Sequence, residues 1–119
     1  MKSSSSISNE WNKYWSHNKV NKRLAYNIIA SFYRNFIIKP KFNLYINKYF
    51  TKNDLLLHAG CGGGEVDTDV SKSFKIIPVD ISSKALDQYK TRNPNTKKII
   101  LEDIRNLSKT NIKVNGIYN

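Results

Sequence analysis

The sequence predicts an α/β fold: a parallel sheet with crossover connections, preceded by an α-helical cap. Three features carry that expectation. Short apolar runs recur after residue 54, at Leu55–Ala59, Ile76–Asp80, Ile99–Leu101 and from Gly116 onward, and such runs bounded by turn residues read as strands buried on both faces. The stretches between them are long enough for the crossovers that parallel neighbours need, and right-handed crossovers are the default. Before residue 54 the apolar residues fall instead at helical spacing.

Residues 1–10 are Ser-rich and read as a flexible lead. Glu10–Trp15 is an aromatic cluster with helical character. Its Trp11, Tyr14 and Trp15 either close over a ligand or pin the segment to the sheet, and pinning is the commoner use of such residues. A helix is predicted over 21–38, with Leu24, Ile28, Phe32 and Phe36 on one stripe and Ala25 and Ile29 beside it. Lys39-Pro40 should end it, because the residue before proline disfavours the α region. A second helix puts Phe42, Tyr45, Ile46, Tyr49 and Phe50 on its apolar face, and Thr51–Asp54 is a turn.

Leu55–Ala59 is the first strand, followed by Gly60, Gly62 and Gly64 at alternate positions and by a helix expected at or just after Glu65. Ile76–Asp80 is the second strand, although Pro78 is unusual inside a central strand. Ser82–Lys90 reads as a helix capped by Ser82 or Ser83, with Leu86 and Tyr89 facing inward. Ile99–Leu101 is the third strand, ending at Glu102-Asp103, and Gly116-Ile117-Tyr118 opens a fourth.

The chain has 119 residues, enough for one small domain with one modest core. A single cysteine, Cys61, excludes an internal disulfide and fits a reducing compartment. There is no run of 18 apolar residues for a membrane span and no apolar stretch near Met1 for a secretory signal, so the expected location is cytoplasmic. The two histidines and one cysteine are scattered, so no metal is expected. Net charge is +11, and residues 11–53 carry nine Lys or Arg with no Asp or Glu. A basic face of this kind can meet nucleic acid or an anionic membrane, but an ordinary solvated face is the favoured explanation.

In open α/β sheets, ligands bind beyond the carboxyl ends of the strands. Three candidates sit there: the glycine turn, Asp80 and Asp103. Glycines let the backbone turn and approach a ligand closely. Asp80 follows Gly60 by about 20 residues, the place of an acid that accepts from both hydroxyls of a ribose. Asp103 is an acceptor on the same rim, suited to an exocyclic amine. Cys61 reads as a small turn residue rather than a nucleophile, because no base partner is evident. His17 reads as a surface residue. A dinucleotide fingerprint, G-x-G-x-x-G, would need a third glycine where Glu65 stands, and a carboxylate serves a pyrophosphate poorly.

The observed G-x-G-x-G turn, Leu56 to Gly64 with its Gly60-Cys61-Gly62, resembles motif I of the class I S-adenosylmethionine-dependent methyltransferases. Val79-Asp80-Ile81-Ser82 with Ala85-Leu86 is similar to that family's ribose segment, and Leu101–Ile104 to its adenine-amine segment. Val114–Asn119 is similar to the approach to its fourth strand. The resemblance covers residues 55–119 and implies the first half of a Rossmann-like domain, with residues 11–54 as a loosely matching cap. It implies S-adenosylmethionine as cofactor and a methyl acceptor, expected to be a small molecule. Gly60, Cys61, Gly62 and Gly64 would pass under the methionine portion, Asp80 would hold the ribose, Ile81 and Ile104 would flank adenine, and Asp103 would accept from its amine. No catalytic residue is implied, since the base and acceptor pocket lie mostly in later parts of that fold.

Two positions depart from the family. His58 stands where an acid is frequent and either replaces it as a hydrogen-bond partner or packs, packing being the favoured reading, and Asn115 replaces a common Asp. The family's sheet has seven strands, so the expectation is a longer protein, with about one further small-domain length of 80–130 residues, the alternative being a truncated or degenerate product. Two alternatives are a dinucleotide-dependent oxidoreductase and a non-catalytic basic module that uses residues 11–53 on nucleic acid or an anionic membrane.

Overall fold

A computed structural model describes residues 2–17 and 24–119. The first three positions of the helix predicted over 21–38, and the side chains of His17 and Leu24, lie outside the described residues. The helices before the sheet are α1 (Ser4–His17), α2 (Leu24–Tyr33) and α3 (Lys39–Tyr49), with a π-helical turn, Arg34–Ile38, joining the last two.

Where the sequence predicts a flexible lead, Ser4–Asn9 forms the opening turns of α1. The reason is tertiary: the Ser4 hydroxyl donates to Asp103 Oδ2 at 3.0 Å and the Ser8 hydroxyl to the Ile81 carbonyl at 2.9 Å. The predicted break at Lys39-Pro40 does not occur either. Lys39 stays in the α region (φ −59°, ψ −45°), and its N–H reaches back five residues to the Arg34 carbonyl. A proline ring normally collides with the carbonyl four residues earlier. The wider π turn relieves that collision and leaves Pro40 in the first turn of α3, where its missing N–H is not needed.

The extra residue in the π turn also rotates α3 by roughly 100° relative to α2. Only part of each apolar stripe therefore turns inward. Ile46 is buried, with Phe42 and Phe50 half-buried beside it, whereas Tyr45 and Tyr49 are exposed. Ile28, Ile29, Phe32 and Phe36 of the α2 stripe face outward.

The strands are β1 (Leu55–Ala59), β2 (Lys75–Asp80), β3 (Ile100–Leu101) and β4 (Gly116–Tyr118), in the order β3-β2-β1-β4, all parallel. Each begins within one residue of its apolar run. Alternation along β1 feeds both faces: Leu56 joins Ile46, Val70, Phe74 and Ile76, while Leu57 joins Ala59 and Val79 under Ile100, Leu107 and Val114.

Pro78 is accommodated by register. The Val79 carbonyl accepts from Gly60 and Cys61 N–H, so that residue bonds toward β1. Pro78, one position earlier, turns its missing donor toward β3, whose pairing begins only opposite Val79.

Helix α4 (Ser83–Arg92) has Ser82 as its N-cap, the hydroxyl accepting from Ala85 N–H at 3.2 Å, and buries Ala85, Leu86 and Tyr89. The helix expected after Glu65 is replaced by two single 3₁₀ turns, Val66–Thr68 and Val70–Lys72. Val, Asp and Thr are weak helix formers, and the buried Asp67 side chain is held in the core by two tyrosine hydroxyls and His58 Nδ1.

Candidate functional site

A cleft of about 550 Å³ opens along the carboxyl ends of β1, β2 and β3, lined by Gly60, Gly62, Asp80, Ile81, Asp103 and Ile104, with Ile7, Trp11, Trp15 and Arg105. The parallel register is what gathers residues so far apart in sequence. Asp80 anchors the rim: one carboxylate oxygen accepts from Gly62 N–H at 2.9 Å and the other from Ser82 N–H at 2.9 Å. The glycine turn and the start of α4 are thereby tied to the end of β2. A carboxylate has about four acceptor positions, so two remain for hydroxyl donors.

Asp103 is engaged more fully. Oδ1 accepts from Arg105 N–H at 2.9 Å, Oδ2 from Ser4 and Arg105 Nε, and the Arg105 guanidinium closes an ion pair. Hydrogen bonds from Arg105 hold this carboxyl well below its ordinary range.

Helix α1 roofs this cleft. Asn12 Oδ1 accepts from the Ser82 hydroxyl at 2.6 Å, and the Trp15 carbonyl from Gln88 at 3.4 Å. The Trp15 indole lies over Gly62 and Trp11 lines the cleft, while the pinning of α1 to α4 falls to Asn12 and the Trp15 backbone carbonyl rather than to the aromatic rings. Gly62 (φ +56°) lies so close beneath Trp15 that a Cβ there would sit 3.1 Å from the indole.

A second cleft, about 870 Å³, shares Trp15 and Gly62 with the first and continues past Cys61, Gly63, Gly64 and Glu65 to His58, Arg34 and Tyr26. Burial, with the Asp80 and Asp67 charges, pushes the Cys61 thiol far up, which leaves it protonated and unreactive. Glu65 accepts from Arg34 at 2.6 Å, Ser31 at 3.0 Å and Asn35 at 3.2 Å, which ties the end of the glycine turn to α2 and the π turn. Partial burial raises its carboxyl, but these donors and the Arg34 and Arg92 charges outweigh that and hold it below its usual value.

Behind this cleft, Asp67 is fully buried. It accepts from Tyr89 OH at 2.5 Å and Tyr118 OH at 3.0 Å, with His58 Nδ1 2.7 Å from its Oδ2. The His58 ring packs against Tyr118 in a tilted arrangement, with centroids 4.4 Å apart. Of the two readings for His58, the structure shows the less favoured one, a hydrogen-bond partner, within a network that spans β1, the 3₁₀ connection, α4 and β4.

Of the eight residues singled out in sequence, six line the smaller cleft, and Cys61, Gly62 and Gly64 line the larger, Gly62 serving both. Sequence reasoning missed Asp67, Glu65 as a tether, Ser4 and Arg105. Asp67 and Glu65 could have been suspected as acids just past the turn; nothing in the sequence marks Ser4. Among the described residues no group of three or more His, Cys, Asp or Glu could hold a metal, and no helix is long and apolar enough to cross a membrane.

No protein-family model and no curated protein sequence matches this chain. Solved structures do. Magnesium protoporphyrin IX methyltransferase from Synechocystis PCC 6803 with bound SAM aligns at TM-score 0.69 and 14% identity, over 98% of this chain and 61% of that one. The plantazolicin methyltransferase BamL, in complex with a triazolic desmethylPZN analog and SAH, aligns at TM-score 0.55 and 22% identity, over 92% of this chain and 43% of that one. Streptomyces venezuelae DesVI aligns at TM-score 0.58 and 16% identity, over 82% and 42%. The chain therefore spans less than two thirds of the structures it matches. Over the part it spans, its fold is the Rossmann-like α/β fold of S-adenosylmethionine-dependent methyltransferases.

Proposed function

We propose that this chain is the cofactor-binding portion of an S-adenosylmethionine-dependent methyltransferase acting in the cytoplasm, residues 55–119 forming the half-domain and 11–54 its cap. The observation that carries the reading is the smaller cleft, where the glycine turn, Asp80 and Asp103 meet on one rim beside Ile81 and Ile104. When bound, the cofactor supplies a methyl group already activated on a sulfonium.

The chain's residues position it and exclude water. Asp80 would accept from the ribose hydroxyls on its two remaining acceptor positions. Ile81 and Ile104 would hold the adenine faces. Asp103 would take the adenine amine, with Ser4 yielding its bond. Gly60 to Gly64, Cys61 included as a small residue, would pass the backbone under the methionine portion toward the larger cleft, where an acceptor, a small molecule on this reading, has room.

The site fits a cofactor without phosphate better than a dinucleotide. A pyrophosphate relies on a helix N-terminus behind the glycine turn. Here a single 3₁₀ turn follows, and the Glu65 carboxylate, held ionised, stands at the turn's end. Calorimetry with S-adenosylhomocysteine is the test. Micromolar binding that weakens at least tenfold in Asp80→Ala is expected; absent binding, indifference to Asp80→Ala, or tighter binding of NADH would overturn the proposal.

A further inference from the structure

Resting on the methyltransferase reading, we infer that His58 is the proton-accepting residue of the larger cleft and that Asp67 positions it. Asp67 has no exposed surface; two donors face it, Tyr89 OH and Tyr118 OH, and His58 Nδ1 lies 2.7 Å from its Oδ2. Burial and the Asp67 charge push both phenols far above their ordinary range, so each keeps its proton and donates. Cys61, the other titratable group nearby, likewise stays a neutral thiol. The two hydroxyls donate to both oxygens of Asp67, as to a carboxylate, and on that geometry the hydrogen between Asp67 and His58 is assigned to Nδ1. In the neutral ring the lone pair then lies on Nε2.

That second nitrogen has no partner among the described residues, and it is not one of the buried polar atoms left unbonded. His58 lines the larger cleft and keeps 11% of its side-chain surface open. A histidine kept only for packing normally has both nitrogens satisfied or hidden. Here one nitrogen is fixed by a buried carboxylate and the other is left to a cleft that adjoins the glycine turn. A carboxylate behind an imidazole sets its tautomer and stabilises the imidazolium that forms when it takes a proton.

The step it serves is deprotonation of an acceptor X–H held in this cleft. The X–H bond breaks, the proton goes to Nε2 and the electron pair stays on X. That pair forms the bond to the methyl carbon while the carbon–sulfur pair returns to sulfur, so charge and atoms balance. The acceptor class this suits is a hydroxyl, thiol or protonated nitrogen that needs a base, not a carboxylate.

The experiment joins two readouts on the 119-residue chain at neutral pH. In ¹⁵N imidazole spectra, His58 should show a pyridine-type Nε2 and a pyrrole-type Nδ1, and Asp67→Asn should exchange or mix the two. Diethyl pyrocarbonate should label His58, read from the mass of its peptide, and saturating S-adenosylhomocysteine should slow that labelling at least fivefold. A pyrrole-type Nε2, an unlabelled His58, or labelling unchanged by bound S-adenosylhomocysteine would overturn the assignment. If Asp67→Asn does not fold, the wild-type spectrum and labelling still decide. Calorimetry separates the two proposals: a labelled, pyridine-type His58 in a chain that binds no S-adenosylhomocysteine sinks the cofactor reading and leaves the open, oriented imidazole standing.

Discussion

Two residues of the glycine turn show how local geometry and stability meet. Gly64 has φ +73°, and a Cβ there would lie 2.5 Å from Asn93 Nδ2 and against the Tyr89 ring. The left-handed backbone alone costs an L-residue about 1–2 kcal/mol. Adding the crowding, Gly64→Ala should lose about 2 kcal/mol or more in urea denaturation; a loss under about 0.5 kcal/mol would mean that the turn differs from the one described. Next to it, Glu65 makes stability depend on pH. Its carboxyl lies below its unfolded value, so the tether to Arg34 contributes above the ordinary carboxylate range and is lost as pH falls through the folded value. Both partners are part-exposed, so the contribution is about 1 kcal/mol or less. Arg34→Ala should lower neutral stability by up to about 1 kcal/mol and leave stability at acid pH nearly unchanged, so that the acid side of the stability–pH curve flattens, as followed by thermal melts from about pH 3 to pH 7.

At the level of elements, the cap divides into one helix that contributes to the core and one that does not. Ile46 of α3 is 4% exposed and packs on Leu56, Phe74 and Ile76, whereas Phe32 of α2 is 60% exposed. Ile46→Ala should lower stability by about 2–5 kcal/mol, and Phe32→Ser should stay within about 0.5 kcal/mol. Equal losses in chemical denaturation would show that the α2 stripe is covered. The stripe was legible in sequence because helical spacing reports which residues share a face. Whether that face is covered is set by the π turn and by which segments pack against it, and neither leaves a periodic signal.

For the molecule as a whole, α1 is tied to the ends of β2 and β3 and to α4 through Ser4, Ser8, Asn12 and the Trp15 carbonyl. These are polar bonds at a rim, not core packing, so α1 belongs to the low-stability end of the fold and β1–β2 to the high end. Hydrogen exchange should show β1 and β2 amides slowest and α1 amides faster. Because α1 roofs the smaller cleft, S-adenosylhomocysteine should slow α1 exchange more than α3 exchange; equal slowing would place the ligand elsewhere.

Strand positions, the glycine turn, the Ser82 cap and the acids at the strand ends were all readable in the amino-acid order. They depend on local patterning: apolar runs, glycines without a Cβ, and a hydroxyl before a helix. Other features depended on which chain segments meet in space. Pro40 rides through a helix because a π turn makes room for it. Ser4, at the head of a Ser-rich segment, finds Asp103 ninety-nine positions away. His58, unremarkable as a strand residue, acquires a carboxylate from the connection after β1, and that carboxylate in turn accepts from a tyrosine of α4 and another of β4. Hydrogen-bond partners at such separations are chosen by the packing of the sheet, and a one-dimensional pattern carries no record of that choice.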